Sequence, residues 1–149
     1  MGNKKGDGVK MDHIAYCDKK AKELEKLFNG SKTMLIRGAA GRKIPYGRVN
    51  EGEKVYLVEN DGSCEIKASA IVKSVFNSEK MTKEESEKLI HENMDKLNLT
   101  TAQLKRWNGK RYICLIEIFD LKENEPFTFT RTSNMDDWLI LENIAEVKV

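Results

Sequence analysis

The order of elements along the chain predicts an α+β fold, a small, mostly antiparallel β-barrel flanked by helices. Two observations carry this. Strand-like and helix-like stretches do not alternate one for one, which speaks against a doubly wound parallel sheet. The chain has 149 residues, 40% hydrophobic and 34% charged, enough for one sizeable core. No internal repeat or long linker divides it. The expected layout is a disordered, Gly-, Lys- and Asp-rich tail over residues 1–11 and a single domain over 12–149.

The elements follow in order. His13 to Cys17 is a short apolar run, a first strand. Asp18 is placed to cap a helix. In the following KKAKELEKLF, Ala21, Leu24, Leu27 and Phe28 share one helical face. Asn29-Gly30 ends that helix, with Gly30 free to take the left-handed conformation. Thr33 to Arg37 reads as a strand, with Thr33, Leu35 and Arg37 on one side and Met34 and Ile36 on the other. A glycine-rich loop follows, with Pro45 fixing a turn. Lys54 to Glu59 and Glu65 to Phe76 are strands joined at Asn60-Asp61-Gly62, a hairpin signal. Ile66, Ala68, Ala70 and Val72 face one way. Thr82 with Glu85, and Thr100 with Gln103, are capping boxes that start two helices. Leu89, Ile90, Met94 and Leu97 form the apolar stripe of the first, and Leu99 and Leu104 staple the second. Tyr112 to Phe119 is the most apolar strand. Pro126 to Thr130 reads as an edge strand and Ile144 to Val149 as a last one, with a turn at Met135 to Trp138.

Composition excludes several classes. The longest apolar runs are about five residues, far below the ~20 of a membrane span. The start, MGNKKGDGVK, has no apolar core and so no secretory signal. Cys17, Cys64 and Cys114 are odd in number and widely spaced, which argues against a disulfide framework and against a structural zinc site. No metal and no cofactor is expected, and the cytoplasm is the matching compartment.

Net charge is only +2, but it is unevenly spread. Residues 1–48 hold twelve Lys and Arg against five Asp and Glu, and the remainder is acidic. The basic excess peaks in Gly30 to Arg48, GSKTMLIRGAAGRKIPYGR. That segment carries Lys32, Arg37, Arg42, Lys43 and Arg48 with no acidic residue, and four of the chain's ten glycines. Glycines allow close backbone approach and the cations neutralise phosphate, so a polyanion is the expected partner. The competing interpretation is a solvated surface loop.

Gly30, Lys32 and Arg37 make a Gly-x-Lys pattern with an Arg five residues after the Lys. It follows the first helix, and Gly52-Glu53 opens the next strand. In this the chain resembles the ASCH domain family of the PUA-like β-barrel superfamily. The resemblance spans most of residues 13–149, best up to Phe76 and loosest after Lys122. It implies a cleft on the barrel that accepts RNA or a nucleotide, lined by Lys32 and Arg37. A second such match, Gly41, Lys43 and Arg48, lies in the loop. The resemblance also implies an alternative. Some small bacterial members hydrolyse N(4)-acetylcytidine with a Lys, a Thr three residues on, and a later Glu. Lys32 matches the Lys, but Leu35 stands at the Thr position and cannot be a nucleophile. If the protein is an enzyme, a hydrolase on a modified nucleoside or a ribonuclease, Lys32 and Thr33 are the catalytic candidates. The later carboxylate falls ambiguously near Asp95 to Leu97.

The long loop from Gly38 to Asn50 adds Arg42, Lys43, Tyr46 and Arg48. Arginine pairs phosphate bidentately, and a tyrosine ring stacks a base or else pins the loop by packing. Trp107 and Trp138 are assigned to the core. Asp136 and Asp137, adjacent in sequence, should diverge and not act as a pair. His91 should face solvent. The expected function is RNA or nucleotide binding, with a hydrolase or ribonuclease as the alternative and a basic protein-interaction module as a third.

Overall fold

A computed structural model describes residues 9–131 and 136–149. Within them lie β1 (Asp12–Cys17), α1 (Glu23–Phe28), β2 (Met34–Ala39), β3 (Lys54–Glu59) and β4 (Glu65–Asn77). Next come α2 (Lys83–Glu92), α3 (Met94–Leu97), α4 (Thr101–Trp107), β5 (Tyr112–Thr128) and β6 (Trp138–Leu141). A 3-10 turn at Ile144–Glu146 follows.

The strands form one sheet in the order β2-β5-β4-β3-β1-β6. Only the β1–β3 pairing is parallel among the described strands. The expected α+β, mostly antiparallel class is the one observed. The sheet curls into a half-barrel because three register shifts bend the long β4–β5 ladder. Its outer strands, β2 and β6, are not paired with each other.

Alternation along β2 and β5 builds the core on both faces of the sheet. Leu35, Cys114, Ile116 and Ile118 point into the barrel with Ala15, Val55, Leu57, Ala68 and Val72. Met34, Ile36, Ile113 and Leu115 point out and are covered by Ile90, Leu97 and Trp107 from the helices. A third cluster, Ile14, Val58, Ile66, Phe129 and Leu139, closes the far end.

Both capping boxes form, at Thr82/Glu85 and Thr100/Gln103. Gly30 and Gly62 adopt φ +80° and +85°, the left-handed geometry that the helix end and the hairpin require. Four expectations need correction. The first helix begins only at Glu23, because residues 19–22 form a turn in which Lys22 takes φ 56°. The second helix breaks at Asn93, whose side-chain amide donates to Leu89 O, leaving α3 separate. Pro126 to Thr130 is not a separate edge strand but runs into the end of β5. Ile144 to Val149 is not a strand: Ile144–Glu146 is a 3-10 turn, since Asn143 Oδ1 accepts from Ala145 N–H, and one isolated bridge from Lys148 to Phe129 follows. The expected turn at Met135 to Trp138 lies partly outside the described residues, and Trp138 opens β6. The tail expected over 1–11 lies outside them up to residue 8, and Met11 N–H donates to Glu53 Oε2, 2.8 Å. No helix among the described residues is long and apolar enough to cross a membrane.

Candidate functional site

The site forms where the half-barrel is open, between its outer strands. Arg37, near the end of β2, reaches across this seam. Its Nη2 donates to Tyr16 O (2.7 Å) at the end of β1 and, at 3.4 Å, to Asp137 O just before β6. Its Nη1 donates to Ile36 O at 2.8 Å. Its Nε lies 3.2 Å from Asp137 Oδ1, and the guanidinium stands 5.4 Å from the Trp138 ring centroid. Strands β2 and β6 share no ladder, and this one side chain ties β2 to the ends of β1 and β6.

A cleft of about 410 Å³ opens beside Arg37. Two cation-on-ring pairs wall it: Arg106 stands 4.3 Å from the Trp107 centroid and Arg131 4.5 Å from that of Tyr16. Asp18, Glu23, Asn60, Gln103 and Asp137 add to its polar lining. A second recess of about 200 Å³ adjoins it. The two share Arg37, Arg106, Trp107 and Asp137, and the recess adds Gly38, Lys43, Ile44 and Lys110.

Lys32 lies behind this surface. Its side chain has no exposure; Nζ donates to Leu97 O and stands 3.3 Å from Glu23 Oε2. Burial pushes the Lys32 pKa down from its ordinary 10.5, and the Glu23 carboxylate pulls it part of the way back. Glu23 is held in turn by Asp18 N–H, 2.8 Å from Oε1, and it is Glu23 that lines the cleft. Thr33 is half-buried, and its backbone bridges Lys96 O and Ile118 N. Leu35 is 1% exposed in the barrel core.

The loop residues divide. Lys43 borders the recess and pairs with Asp136 at 3.3 Å. Arg42 is exposed, 5.4 Å from the Tyr112 ring centroid. Arg48 is exposed and lines neither space. The Tyr46 ring packs edge-on against Tyr112, 5.7 Å between centroids, and its hydroxyl donates to Ser78 O. Asp136 and Asp137 do diverge, toward Lys43 and toward the two arginines.

Sequence reasoning missed Glu23, Arg106, Arg131 and Lys110. Arg106 directly precedes Trp107, and that pairing of a cation with an aromatic was its one available signal. Trp107, 5% exposed, is core as expected and also lines both spaces. Away from the cleft, His13, Glu53 and Trp138 form a buried chain. Trp138 Nε1–H donates to His13 Nδ1 (3.0 Å), so His13 Nε2 carries the proton it gives to Glu53 Oε1 (2.8 Å). Burial pushes the His13 pKa down, against the pull of Glu53. Burial alone would raise the Glu53 pKa, but bonds from Met11 N–H, His13 and Asn50 N–H outweigh it and hold the carboxyl below its usual range. The three cysteines are free thiols, and burial pushes Cys114 up to about 12. No group of His, Cys, Asp and Glu among the described residues could hold a metal ion.

A six-stranded half-barrel with its seam stitched by an arginine, and a cleft beside that stitch, defines the class of domain. The solved structures place it further. It is similar to ASCH from Zymomonas mobilis at 12% identity, with a TM-score of 0.59 over 78% of this chain and 73% of that one. A serine-to-alanine variant of that protein matches with a TM-score of 0.61 over 80% of this chain and 75% of that one. A tyrosine-to-phenylalanine variant matches at 0.59 over 78% and 75%. The chain therefore has an ASCH-like fold. No protein-family profile and no curated protein matches its sequence.

Proposed function

We propose that the protein binds RNA or a nucleotide in the cleft beside Arg37. The observation that carries this is the cleft wall: Arg106 lies over Trp107 and Arg131 over Tyr16, so two guanidinium planes, each backed by a ring, line one opening. Guanidinium planes stack unpaired bases and pair phosphate, a combination used for single-stranded nucleic acid. The basic segment from Gly30 to Arg48 supports the same reading. In it Lys43 stands at the recess, while Arg42 and Arg48 extend the positive surface along the loop, where a longer strand would run. Lys32 and Arg37 act from within, Lys32 by holding Glu23 and Arg37 by holding the seam.

Fluorescence anisotropy with single-stranded RNA at several salt concentrations tests this. Each phosphate contact contributes a slope of roughly 0.7 in log affinity against log salt. Replacing Arg42, Lys43 and Arg48 together by Ala should flatten that slope by about two units for all sequences alike. Absence of binding to single-stranded RNA and to nucleotides at low salt would refute the reading. Hydrolysis of a modified nucleoside, or RNA cleavage, is the second reading. The buried Lys32, its pKa depressed beside Glu23, favours it, since such shifts cluster at reactive sites. Leu35 in the core opposes an acetylcytidine hydrolase, because no nucleophile stands there. Turnover of N(4)-acetylcytidine by the wild type that is lost in a Lys32→Ala variant shown by thermal melts to be folded would favour this second reading.

A further inference from the structure

The recess beside the cleft differs from it in charge. The cleft is balanced, with Arg37, Arg106 and Arg131 facing Asp18, Glu23 and Asp137. The recess is lined by Arg37, Lys43, Arg106 and Lys110 against Asp137 alone, with Asp136 reaching Lys43 from outside at 3.3 Å. Four cations against two carboxylates leave two positive charges uncompensated in about 200 Å³. A small concave space of one sign focuses the field and attracts an anion.

The cations are not equally committed. Arg37 is spent on backbone carbonyls and on Asp137. Arg106 shares Asp137, with Nη2 3.1 Å from Oδ2, and its side chain is 58% exposed. Lys110 is half-buried, and no carboxylate among the described residues forms an ion pair with it. Its place depends on Gly38, where a Cβ would stand 3.2 Å from Lys110 Cβ and 3.2 Å from Tyr112 O. The missing side chain lets the lysine stem lie against β2.

We infer that this recess is a subsite for a phosphate monoester, and that the ligand of the cleft is a nucleotide bearing a terminal phosphate. The inference rests on the reading of the cleft as a nucleotide site. A monoester carries about −1.5 to −2 near pH 7, which matches the uncompensated charge. An internal diester carries one charge and leaves the recess half-neutralised. Trp107 and Arg106 border both spaces, so a base or sugar in the cleft lies one side chain away from a phosphate in the recess.

Isothermal titration of the full chain tests this, using cytidine, uridine, adenosine and guanosine and their 5′- and 3′-monophosphates. At least one monophosphate should bind ~10-fold or more tightly than its nucleoside, the gain expected of a charge-assisted contact. Lys110→Ala should remove most of that preference, whereas Lys88→Ala, which deletes an exposed charge on α2, should keep it. Thermal melts confirm that each variant is folded. Equal affinity for nucleosides and monophosphates overturns the inference, and so does a preference that survives Lys110→Ala. A trinucleotide without terminal phosphates that competes as well as the monophosphate overturns it too. If neither nucleosides nor monophosphates bind, the nucleotide reading of the cleft falls, and the subsite falls with it.

Discussion

Replacing Arg37 by methionine should destabilise the protein more than it weakens any one ligand contact. The Arg37 side chain is 8% exposed and makes two short bonds to backbone carbonyls, to Tyr16 O at 2.7 Å and Ile36 O at 2.8 Å. Hydrogen bonds from a charged donor contribute ~1.5–3 kcal/mol each, and a buried acceptor left without its donor keeps its desolvation penalty. Together the two bonds are worth roughly 3–6 kcal/mol, against a total stability of ~5–15 kcal/mol for a typical domain. For a chain of this size each kcal/mol shifts the melting temperature by ~2–4 °C, so Arg37→Met should melt roughly 6–24 °C lower. Arg37→Lys keeps the charge but not the planar fork that reaches three elements at once, and it should recover only a minor part. The assay is thermal and urea unfolding of both variants beside RNA titration under conditions where each is folded. A methionine variant that melts within ~2 °C of wild type yet no longer binds RNA would refute the reasoning, because Arg37 would then be held for the ligand and not for the seam.

Other substitutions should separate structure from function in the same way. Lys32→Met and Glu23→Leu should each cost about 3–5 kcal/mol by leaving the other buried charge uncompensated, while the two together should recover most of the loss; a coupling near zero in urea unfolding would show that the pair does not interact. Lowering the pH should destabilise the protein in two stages. The folded state keeps His13 neutral while the unfolded state protonates near 6.5, so stability falls as pH drops below 6.5; the depressed Glu53 adds a second loss below about 4.5. His13→Gln, which can still donate to Glu53 and accept from Trp138, should flatten the first stage and keep the second, and an unchanged melting profile between pH 4.5 and 6.5 would exclude the His13 account. Tyr46→Phe should cost ~1 kcal/mol through the lost bond to Ser78 O and leave RNA affinity unchanged. A drop in affinity without a change in melting temperature would instead put that hydroxyl at the ligand.

The elements were legible where neighbours in sequence decide them. Thr82 with Glu85 and Thr100 with Gln103 satisfy one another across three residues, so both caps form as expected. Gly62 closes its hairpin and Gly30 its helix end for equally local reasons. The alternation of Met34, Leu35 and Ile36 also announced a strand, which the structure buries on both faces. Local signals misled where a longer pattern could break: the stripe through Leu89 and Leu97 looked like one helix, and Asn93 divides it.

The site was legible only in part, because its geometry depends on partners distant in the chain. The crowding of cations into Gly30 to Arg48, and the places of Lys32 and Arg37 just after the first helix, can be read from the order of residues. Where their side chains go cannot. Lys32 meets Leu97 O across 65 residues and Arg37 meets Asp137 across 100, so both are drawn inward by groups that no local pattern reveals. The same closing of the barrel brings Arg106, Arg131 and Lys110 to the opening, where they join Arg37 as cations lining the two spaces. Composition records how many charges a chain carries, but burial decides which remain available, and burial is set by the strands that pair across the whole sheet.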